Sequence, residues 1–180
     1  MQALLVIDML NDFLTGALRC ERAFHIVPNI KTISSLFRDN GLPVIYCNDA
    51  HIKGVDRELA LWGEHAIKGA EGAEVIEDLA PQAEDYIVPK RRYSCFFATD
   101  LDTLLRELDV DEVVLTGLHA NLCLRHTAAD AYFLGYRITV LKDCTEALSQ
   151  EEYRSGIEYI EKYYGARVIG SSGIKEELQC

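Results

Sequence analysis

A strand, a tight turn and a helix are predicted in immediate succession within residues 113–131. An apolar, β-branched run ends at Thr116 and Gly117, and a helix-compatible segment follows with Cys123 near its start. In open α/β sheets, ligands bind outside the carboxyl ends of the strands. A helix N-terminus favours a thiolate, because its free N–H groups and its dipole stabilise an anion. The stretch therefore predicts a nucleophilic Cys123, with an inert packing cysteine as the alternative.

Apolar strands alternate with helical patterns along the rest of the chain. The predicted strands cover residues 3–7, 43–47, 86–88, 113–117, 137–141 and 167–169. The predicted helices cover residues 27–39, 100–108, 123–134 and 150–164, with a short or frayed helix in the tail. Loops are predicted over residues 11–16 and 49–72. This alternation predicts one α/β domain over residues 1–180, with a three-layer α/β/α fold and a six-stranded, mostly parallel sheet in the Rossmann-like order 3-2-1-4-5-6.

Acidic, basic and nucleophilic side chains follow several of the predicted strands. The residues concerned are Asp8, Asp49, Lys90, Cys123 and Asp143. Because the carboxyl ends of parallel strands share one edge of a sheet, we expect these five side chains to lie close together. Each one alone has an ordinary explanation, such as a turn former or a solvated basic residue.

The long segment after the second strand contains possible metal ligands. Asp49 and His51 lie two positions apart, and His65 follows Trp62 by three positions. Long ordered loops in compact domains are usually functional. Two histidines and a carboxylate suit zinc, iron or manganese at a catalytic site. By spacing alone, plain surface histidines are the alternative.

Charge and cysteine content exclude some classes of protein. The net charge of −11 argues against nucleic acid or an anionic membrane surface as the main partner, since phosphate contacts need Lys and Arg. No apolar run reaches transmembrane length, and the first residues read as a strand, so we expect a cytoplasmic protein. The six cysteines are widely spaced and are expected to be free thiols, of which Cys20, Cys47, Cys144 and Cys180 serve packing or lie at the surface.

Four separated blocks of the chain resemble the isochorismatase-like cysteine hydrolases, whose best-studied branch is nicotinamidase. The blocks are residues 5–13 (LVIDMLNDF), 90–96 (KRRYSCF), 116–123 (TGLHANLC) and 127–131 (TAADA). The blocks occur in the family's order and at suitable spacing, and the resemblance covers nearly the whole chain.

The resemblance implies a catalytic triad of Asp8, Lys90 and Cys123. The implied reaction is hydrolysis of a small planar amide, with nicotinamide as first choice, through a thioester on the cysteine. The resemblance also implies a cis peptide bond between Leu118 and His119. The backbone N–H groups of His119 and Cys123 would form the oxyanion hole.

The resemblance further implies a divalent metal ion held by Asp49, His51 and His65. Zn²⁺ is the first choice, and Fe²⁺ or Mn²⁺ are the alternatives; the ion would orient the substrate. Aromatic side chains are expected to bind the substrate, and they are Phe13, Trp62 and Tyr93.

Several residues depart from the family pattern. His119 stands where a small residue is usual, Ala120 where threonine is common, Leu10 in place of glutamine, and Cys95 in place of a small residue. These departures leave the identity of the amide open. Two other functions remain as alternatives, an isochorismatase-type vinyl-ether hydrolase and a non-catalytic module that binds a small ligand or a metal. A homo-oligomer is expected, as is common in this family.

Overall fold

A six-stranded parallel sheet forms the centre of the molecule, whose computed structural model describes residues 1–179. The strands are β1 (Gln2–Ile7), β2 (Val44–Asp49), β3 (Tyr86–Lys90), β4 (Glu112–Gly117), β5 (Arg137–Thr145) and β6 (Arg167–Ile169). They lie in the order β3-β2-β1-β4-β5-β6, and each neighbouring pair is parallel. The predicted fold class and strand order are therefore confirmed.

Seven α-helices connect or follow these strands within the described part of the chain. They are α1 (Asn11–Leu14), α2 (Val27–Asp39), α3 (Leu59–Trp62), α4 (Leu101–Glu107), α5 (Cys123–Leu134), α6 (Gln150–Tyr164) and α7 (Ser171–Leu178). Both ends of α6 are capped, since the Ser149 side chain accepts a hydrogen bond from the Glu152 N–H and Gly165 ends the helix in the left-handed conformation.

The central strand β1 divides the core into two halves. Successive side chains of a strand point to opposite faces of the sheet. Ala3, Leu5 and Ile7 accordingly pack into one cluster with residues of α4, α5 and α6. Leu4 and Val6 pack into the other cluster, which includes residues of α2 and α7. Burial of β1 on both faces explains its continuous apolar sequence.

The structure differs from the sequence-based expectations at three elements. Residues 11–14 form the short helix α1 instead of a loop, and residues 49–72 include α3. The strand β5 extends four residues beyond its predicted end, because a bulge shifts its pairing so that Leu115 lies opposite Val140 but Gly117 lies opposite Thr145. Local periodicity does not reveal a bulge, since the extra residues only acquire partners in the sheet.

Two glycines allow backbones to approach closely beside the turn that follows β4. Gly117 has φ of 101°, and a Cβ atom there would lie 2.0 Å from the Ile7 carbonyl oxygen. Gly156 in α6 packs on the same turn, where a Cβ atom would lie 2.4 Å from the backbone of Ala120. Both positions exclude a side chain, so the turn is clamped between β1 and α6.

Within residues 1–179, no helix combines the length and the apolar character needed to cross a membrane.

Candidate active site

Three sequence-predicted residues meet at the carboxyl edge of the sheet. The Lys90 Nζ atom lies 2.7 Å from Asp8 Oδ2 and 3.6 Å from Cys123 Sγ. All three side chains are buried. The structure thus brings together side chains that are 82 and 33 residues from one another along the chain by placing β1, β3 and the start of α5 side by side.

A fourth residue, Asp49, completes the hydrogen bonding around this group. Its carboxylate Oδ1 lies 2.6 Å from Lys90 Nζ, and its backbone N–H donates to Asp8 Oδ1 over 2.8 Å. The carboxylate of Asp8 is therefore fixed by the last residue of β2 and the last residue of β3. Asp8 itself has φ of 54°, a conformation that aspartate tolerates better than most residues and that ends β1 abruptly.

Burial and charge set the protonation of this group. Burial and the charge of Asp49 raise the pKa of Asp8 to about 6, against the lowering effect of Lys90. Burial opposes the charged form of Lys90, but Asp49 and Asp8 outweigh it and hold the pKa of Lys90 well above its ordinary value. At neutral pH the group therefore contains an ammonium ion and an ionised carboxylate that can accept a proton.

The Cys123 thiol is protonated in this arrangement. Burial raises the pKa of Cys123 well above its usual range, the carboxylates of Asp8 and Asp49 raise it further, and Lys90 opposes them. The stabilisation that a helix N-terminus gives to a thiolate is therefore outweighed by burial at this position. A helix N-terminus contributes about 0.3–1 kcal/mol at exposed sites, which is small beside the desolvation of a buried anion.

The turn before Cys123 has the shape that the resemblance implies. The peptide bond between Leu118 and His119 is cis. The His119 carbonyl accepts hydrogen bonds from the N–H groups of Leu122 and Leu124, which attach the turn to the start of α5. The N–H of Ala120 donates to the Glu146 carbonyl and fixes the other side of the turn. The backbone at His119 and Cys123 is thus held in place beside the thiol.

A buried cluster of possible metal ligands adjoins the catalytic group. Asp49, His51, Glu58 and His65 each offer one ligand atom, and these atoms all lie within 4.8 Å of one another. The His51 Nε2 atom lies 3.7 Å from Asp49 Oδ2 and 3.8 Å from Glu58 Oε1. Asp49 therefore belongs to both groups, with one oxygen facing Lys90 and the other facing His51.

The hydrogen bonds of the two histidines fit a metal site. The His51 Nδ1 atom lies 3.1 Å from Asp56 Oδ2, and the His65 Nδ1 atom lies 2.8 Å from the Gly63 carbonyl oxygen. Both acceptors call for a proton on Nδ1, which leaves a lone pair on each Nε2. The His51 Nε2 atom is buried without a hydrogen-bond partner among the described residues, as expected for a nitrogen whose lone pair binds a metal ion.

The charges of the cluster also favour a cation. The carboxylates of Asp8, Asp49 and Glu58 are buried, and Lys90 forms ion pairs with the first two. Burial and the charge of Asp49 raise the pKa of Glu58 to about 7. This cluster attracts a proton, and for the same electrostatic reason it attracts a divalent cation.

Sequence reasoning missed one member of this cluster and one residue beside it. Glu58 is a fourth possible ligand, and Asp56, outside the cluster, orients His51 while it pairs with Arg91. The Arg91 guanidinium holds the pKa of Asp56 well below its usual range. The only sequence signal for either residue was its position in a long, acidic segment, where carboxylates usually face solvent.

An open cavity of about 250 Å³ leads to the thiol. Phe13, Trp62 and Tyr93, the three predicted substrate-binding residues, all line it. The Trp62 Nε1–H donates to the Tyr93 hydroxyl over 3.0 Å, which joins α3 to the loop after β3. His119 and Cys123 line the cavity as well, together with Asp49, Glu58 and His65 from the metal cluster. A small ligand in this cavity would contact the thiol and the cluster at once.

Asp143 does not join the other four residues at this edge. Its carboxylate accepts hydrogen bonds from the backbone N–H and the hydroxyl of Ser171, both over 2.7 Å, and so holds the start of α7. The bulge in β5 places Asp143 within the strand instead of beyond its end. The expectation that five side chains share the edge is therefore wrong for this residue.

Four further cysteines of residues 1–179 do not line the cavity. Cys20, Cys47 and Cys144 are free and buried, in agreement with a packing role. Cys95 is also a free, buried thiol. Cys180 lies outside the described residues.

The chain is similar over nearly its whole length to known proteins of one family. Residues 2–172 match the isochorismatase domain family. The N-carbamoylsarcosine amidase of Thermoplasma acidophilum is 42% identical, with 94% of this chain and 96% of that chain covered and a TM-score of 0.88. The nicotinamidase PncA of Bacillus subtilis is 33% identical, with 93% and 98% covered and a TM-score of 0.88. The pyrazinamidase of Pyrococcus horikoshii, solved in complex with zinc, is 26% identical, with 94% and 98% covered and a TM-score of 0.86.

Proposed function

This chain belongs to the isochorismatase family, and we propose that it is a cysteine-dependent amidohydrolase that releases ammonia from a small primary amide. One observation carries the proposal. The Cys123 thiol, the Lys90 ammonium ion and the Asp8 carboxylate meet in a buried group at the end of an open cavity. A nucleophile (Cys123), a fixed cation (Lys90) and a proton acceptor (Asp8) that lie in contact suit acyl transfer.

The first half-reaction forms a thioester. Asp8 takes the proton of the Cys123 thiol as the sulfur attacks the carbonyl carbon of the amide. The backbone N–H groups of His119 and Cys123 stabilise the negative charge that develops on the carbonyl oxygen. Asp8 then gives its proton to the departing nitrogen, which leaves as ammonia, and the acyl group remains on sulfur.

The second half-reaction restores the thiol. Asp8, again ionised, takes a proton from water as the water oxygen attacks the thioester carbonyl. The C–S bond breaks, sulfur regains a proton from Asp8, and the carboxylic acid leaves. Lys90 stays charged throughout, because its ion pairs with Asp8 and Asp49 stabilise the ammonium form.

The cluster of Asp49, His51, Glu58 and His65 would hold a divalent ion, with Zn²⁺ as first choice. Such an ion would supply positive charge and a Lewis acid beside the cavity. The chain itself supplies the two Nε2 lone pairs and the Asp49 oxygen that faces away from Lys90. Phe13 and Trp62 add apolar walls that suit a flat ring.

Nicotinamide is the first candidate substrate, because its ring nitrogen suits the metal cluster, its carboxamide suits the thiol, and both of these groups line one small cavity. An N-carbamoyl compound is the second candidate. It is favoured by the 42% identity with the amidase that acts on N-carbamoylsarcosine.

Ammonia release from nicotinamide, N-carbamoylglycine and simple aliphatic amides tests the proposal. We expect one of them to be hydrolysed, and we expect mass spectrometry after an acid quench to show the acyl group on the peptide that contains Cys123. A burst of ammonia release means that the acyl-enzyme accumulates. If such a burst occurs and no acyl adduct is found, the thioester route is contradicted. Absence of turnover with every primary amide would contradict the proposed function.

Replacement of His51 by alanine is expected to weaken Zn²⁺ binding by at least roughly 100-fold, because it removes a ligand whose Nδ1 is fixed by Asp56. Calorimetric titration of the apoprotein with Zn²⁺ measures the change, and metal analysis of the purified protein confirms it. His25→Ala is the matched control, since His25 is exposed and lies outside the cluster. Equal affinity in His51→Ala and the parent protein would show that the cluster does not bind the metal.

A further inference from the structure

The outward side of α6 carries an open groove of about 340 Å³. Its lining residues are Glu151, Arg154, Ser155, Glu158, Tyr159, Lys162 and Tyr163. We call these seven residues the α6 face. They follow one another at the spacing of a single helix side, whereas Gly156, Ile157 and Ile160 point into the core. The groove is therefore a regular surface of one helix.

An exposed aromatic cluster adjoins the C-terminal end of this face. Its five rings form a chain in which successive centroids lie at most 5.8 Å apart, in the order Phe133, Tyr132, Tyr164, Tyr159 and Tyr163. Phe133 is 72% exposed, Tyr163 is 55% exposed and Tyr132 is 52% exposed. These three side chains leave roughly 400 Å² in water, which is half of the about 800 Å² that each partner buries in a standard interface. Contiguous exposed patches of this kind mark interaction sites.

The charges of the α6 face alternate in sign along the helix. In chain order they are Glu151, Arg154, Glu158 and Lys162, and all four residues are exposed. An antiparallel second copy of α6 brings Glu151 against Lys162 and Arg154 against Glu158. A parallel copy brings each charge against its own kind. The row is thus complementary to itself in the antiparallel arrangement.

The apolar groups at the two ends of α6 obey the same symmetry. Leu148 is 45% exposed and lies just before the helix, and the exposed Tyr163 lies next to its last residue. A two-fold axis between Gly156 and Ile157 places Leu148 of one copy near Tyr163 of the other. The small Ser155 beside this axis lets the two helices approach closely. Because Leu148 also lines the catalytic cavity, the second copy would border that cavity.

The charge balance of the row favours a second copy as the occupant. The whole chain has a net charge of −11, so two copies repel each other over most of their surface. The two acidic and two basic residues of the row cancel, and this surface is free of that repulsion. The same net charge disfavours a nucleic acid or an anionic membrane on the aromatic cluster.

We propose that two copies of this chain associate through the α6 face, with their α6 helices antiparallel around a two-fold axis near Ser155. Each charge contact and each contact between Leu148 and Tyr163 then occurs twice in the dimer, as in every isologous interface.

Sedimentation velocity of the full-length protein, from nanomolar to high micromolar concentration, tests the proposal. We expect a species with twice the mass of one chain. Glu151→Lys and Lys162→Glu should each raise the Kd of the dimer about tenfold, because each variant opposes like charges at two symmetric places. The double variant Glu151→Lys/Lys162→Glu should recover most of the affinity, since it restores opposite charges with their signs exchanged.

Recovery in the double variant can come only from contact between copies. Glu151 and Lys162 are eleven positions apart on the same side of α6. This separation is about 16 Å along the helix axis, and charges at the surface are screened over about 8 Å at physiological salt. The two residues of one copy therefore do not compensate each other.

Tyr163→Ser tests the apolar part of the interface. We expect it to raise the Kd of the dimer at least roughly tenfold, because aromatic side chains at the centre of an interface carry much of its affinity. Tyr86→Ser is its control, since Tyr86 lies on the edge strand β3 and is also exposed. Lys31→Glu is the control for the charge variants, because Lys31 is an exposed residue of α2, on the other face of the sheet. Neither control should change the Kd.

Three outcomes would overturn the proposal. The first is a protein that stays monomeric at the highest concentration, so that the face binds another molecule or none. The second is a dimer whose Kd is the same in Glu151→Lys, Lys162→Glu and Tyr163→Ser. The third is a double variant that dimerises more weakly than either single variant, although circular dichroism shows that it is folded. Because sedimentation needs no substrate, these results are independent of the amidohydrolase function.

Discussion

Replacement of Cys123 by alanine is expected to lower kcat/KM by at least roughly 1,000-fold while the protein stays folded. The reason is that the thiol is the one nucleophile that the cavity places beside Lys90 and Asp8 in the described part of the chain. Its removal leaves the oxyanion donors and the metal cluster intact, so substrate binding should survive. Steady-state kinetics of ammonia release measure the loss, and calorimetry with the same substrate measures the remaining affinity.

Cys144→Ala is the matched control for this variant. Cys144 is equally buried, but it packs in the opposite half of the core, away from the cavity. Both variants remove one buried sulfur, so both should lose a similar amount of stability, on the order of 1 kcal/mol. Only Cys123→Ala should lose activity. Retention of a tenth or more of the activity by Cys123→Ala would exclude a thioester on this residue.

Replacement of Lys90 by methionine is expected to abolish activity and to lower the free energy of unfolding by about 3–5 kcal/mol. Lys90 lies 2.7 Å from Asp8 Oδ2 and 2.6 Å from Asp49 Oδ1, and all three side chains are buried. Methionine has a similar length but no charge, so two carboxylates would face each other without a cation. Urea denaturation followed by circular dichroism measures the loss of stability.

Two further variants serve as a control and a partial rescue for Lys90→Met. Lys53→Met removes an exposed lysine that pairs with Glu64, and it should cost about 0–1 kcal/mol. Lys90→Met/Asp8→Asn removes one of the two negative carboxylate charges that repel each other. It should recover part of the stability but none of the activity. A Lys90→Met protein as stable as Lys53→Met would show that the buried ion pairs contribute little.

The sheet was predictable because each strand carries its own signal. A continuous apolar run such as residues 3–7 indicates a strand that is buried on both faces, and polar residues mark where it ends. The order of the strands was that of a Rossmann-like sheet, and the proximity of Asp8, Lys90 and Cys123 followed from their places at strand ends, since a parallel sheet brings those ends to one edge. The roles of these three residues came from the resemblance to the family. The roles themselves stay predictions until the variants are measured.

The parts that could not be predicted depend on contacts between distant residues. Asp143 carries the same local signal as Asp49, but a bulge that only the pairing with β4 reveals turns it toward Ser171. Glu58 is one of many acidic residues, and only the fold of residues 49–72 buries it beside His51. The protonated state of Cys123 follows from burial, which a sequence shows only on average.

The placement of β1 at the centre of the sheet has a consequence for how the chain folds during synthesis. β1 is made before both of its neighbours in the sheet, since it pairs on one side with β2 and on the other with Glu112–Gly117 of β4. A nascent chain that ends before β4 therefore exposes an unpaired apolar edge, which is prone to associate with other chains. The contact is also distant in sequence, so its loop-closure entropy slows folding. The carboxyl edge that holds the thiol thus forms only after Cys123 has emerged, and no nascent chain that ends before this residue can carry the complete site.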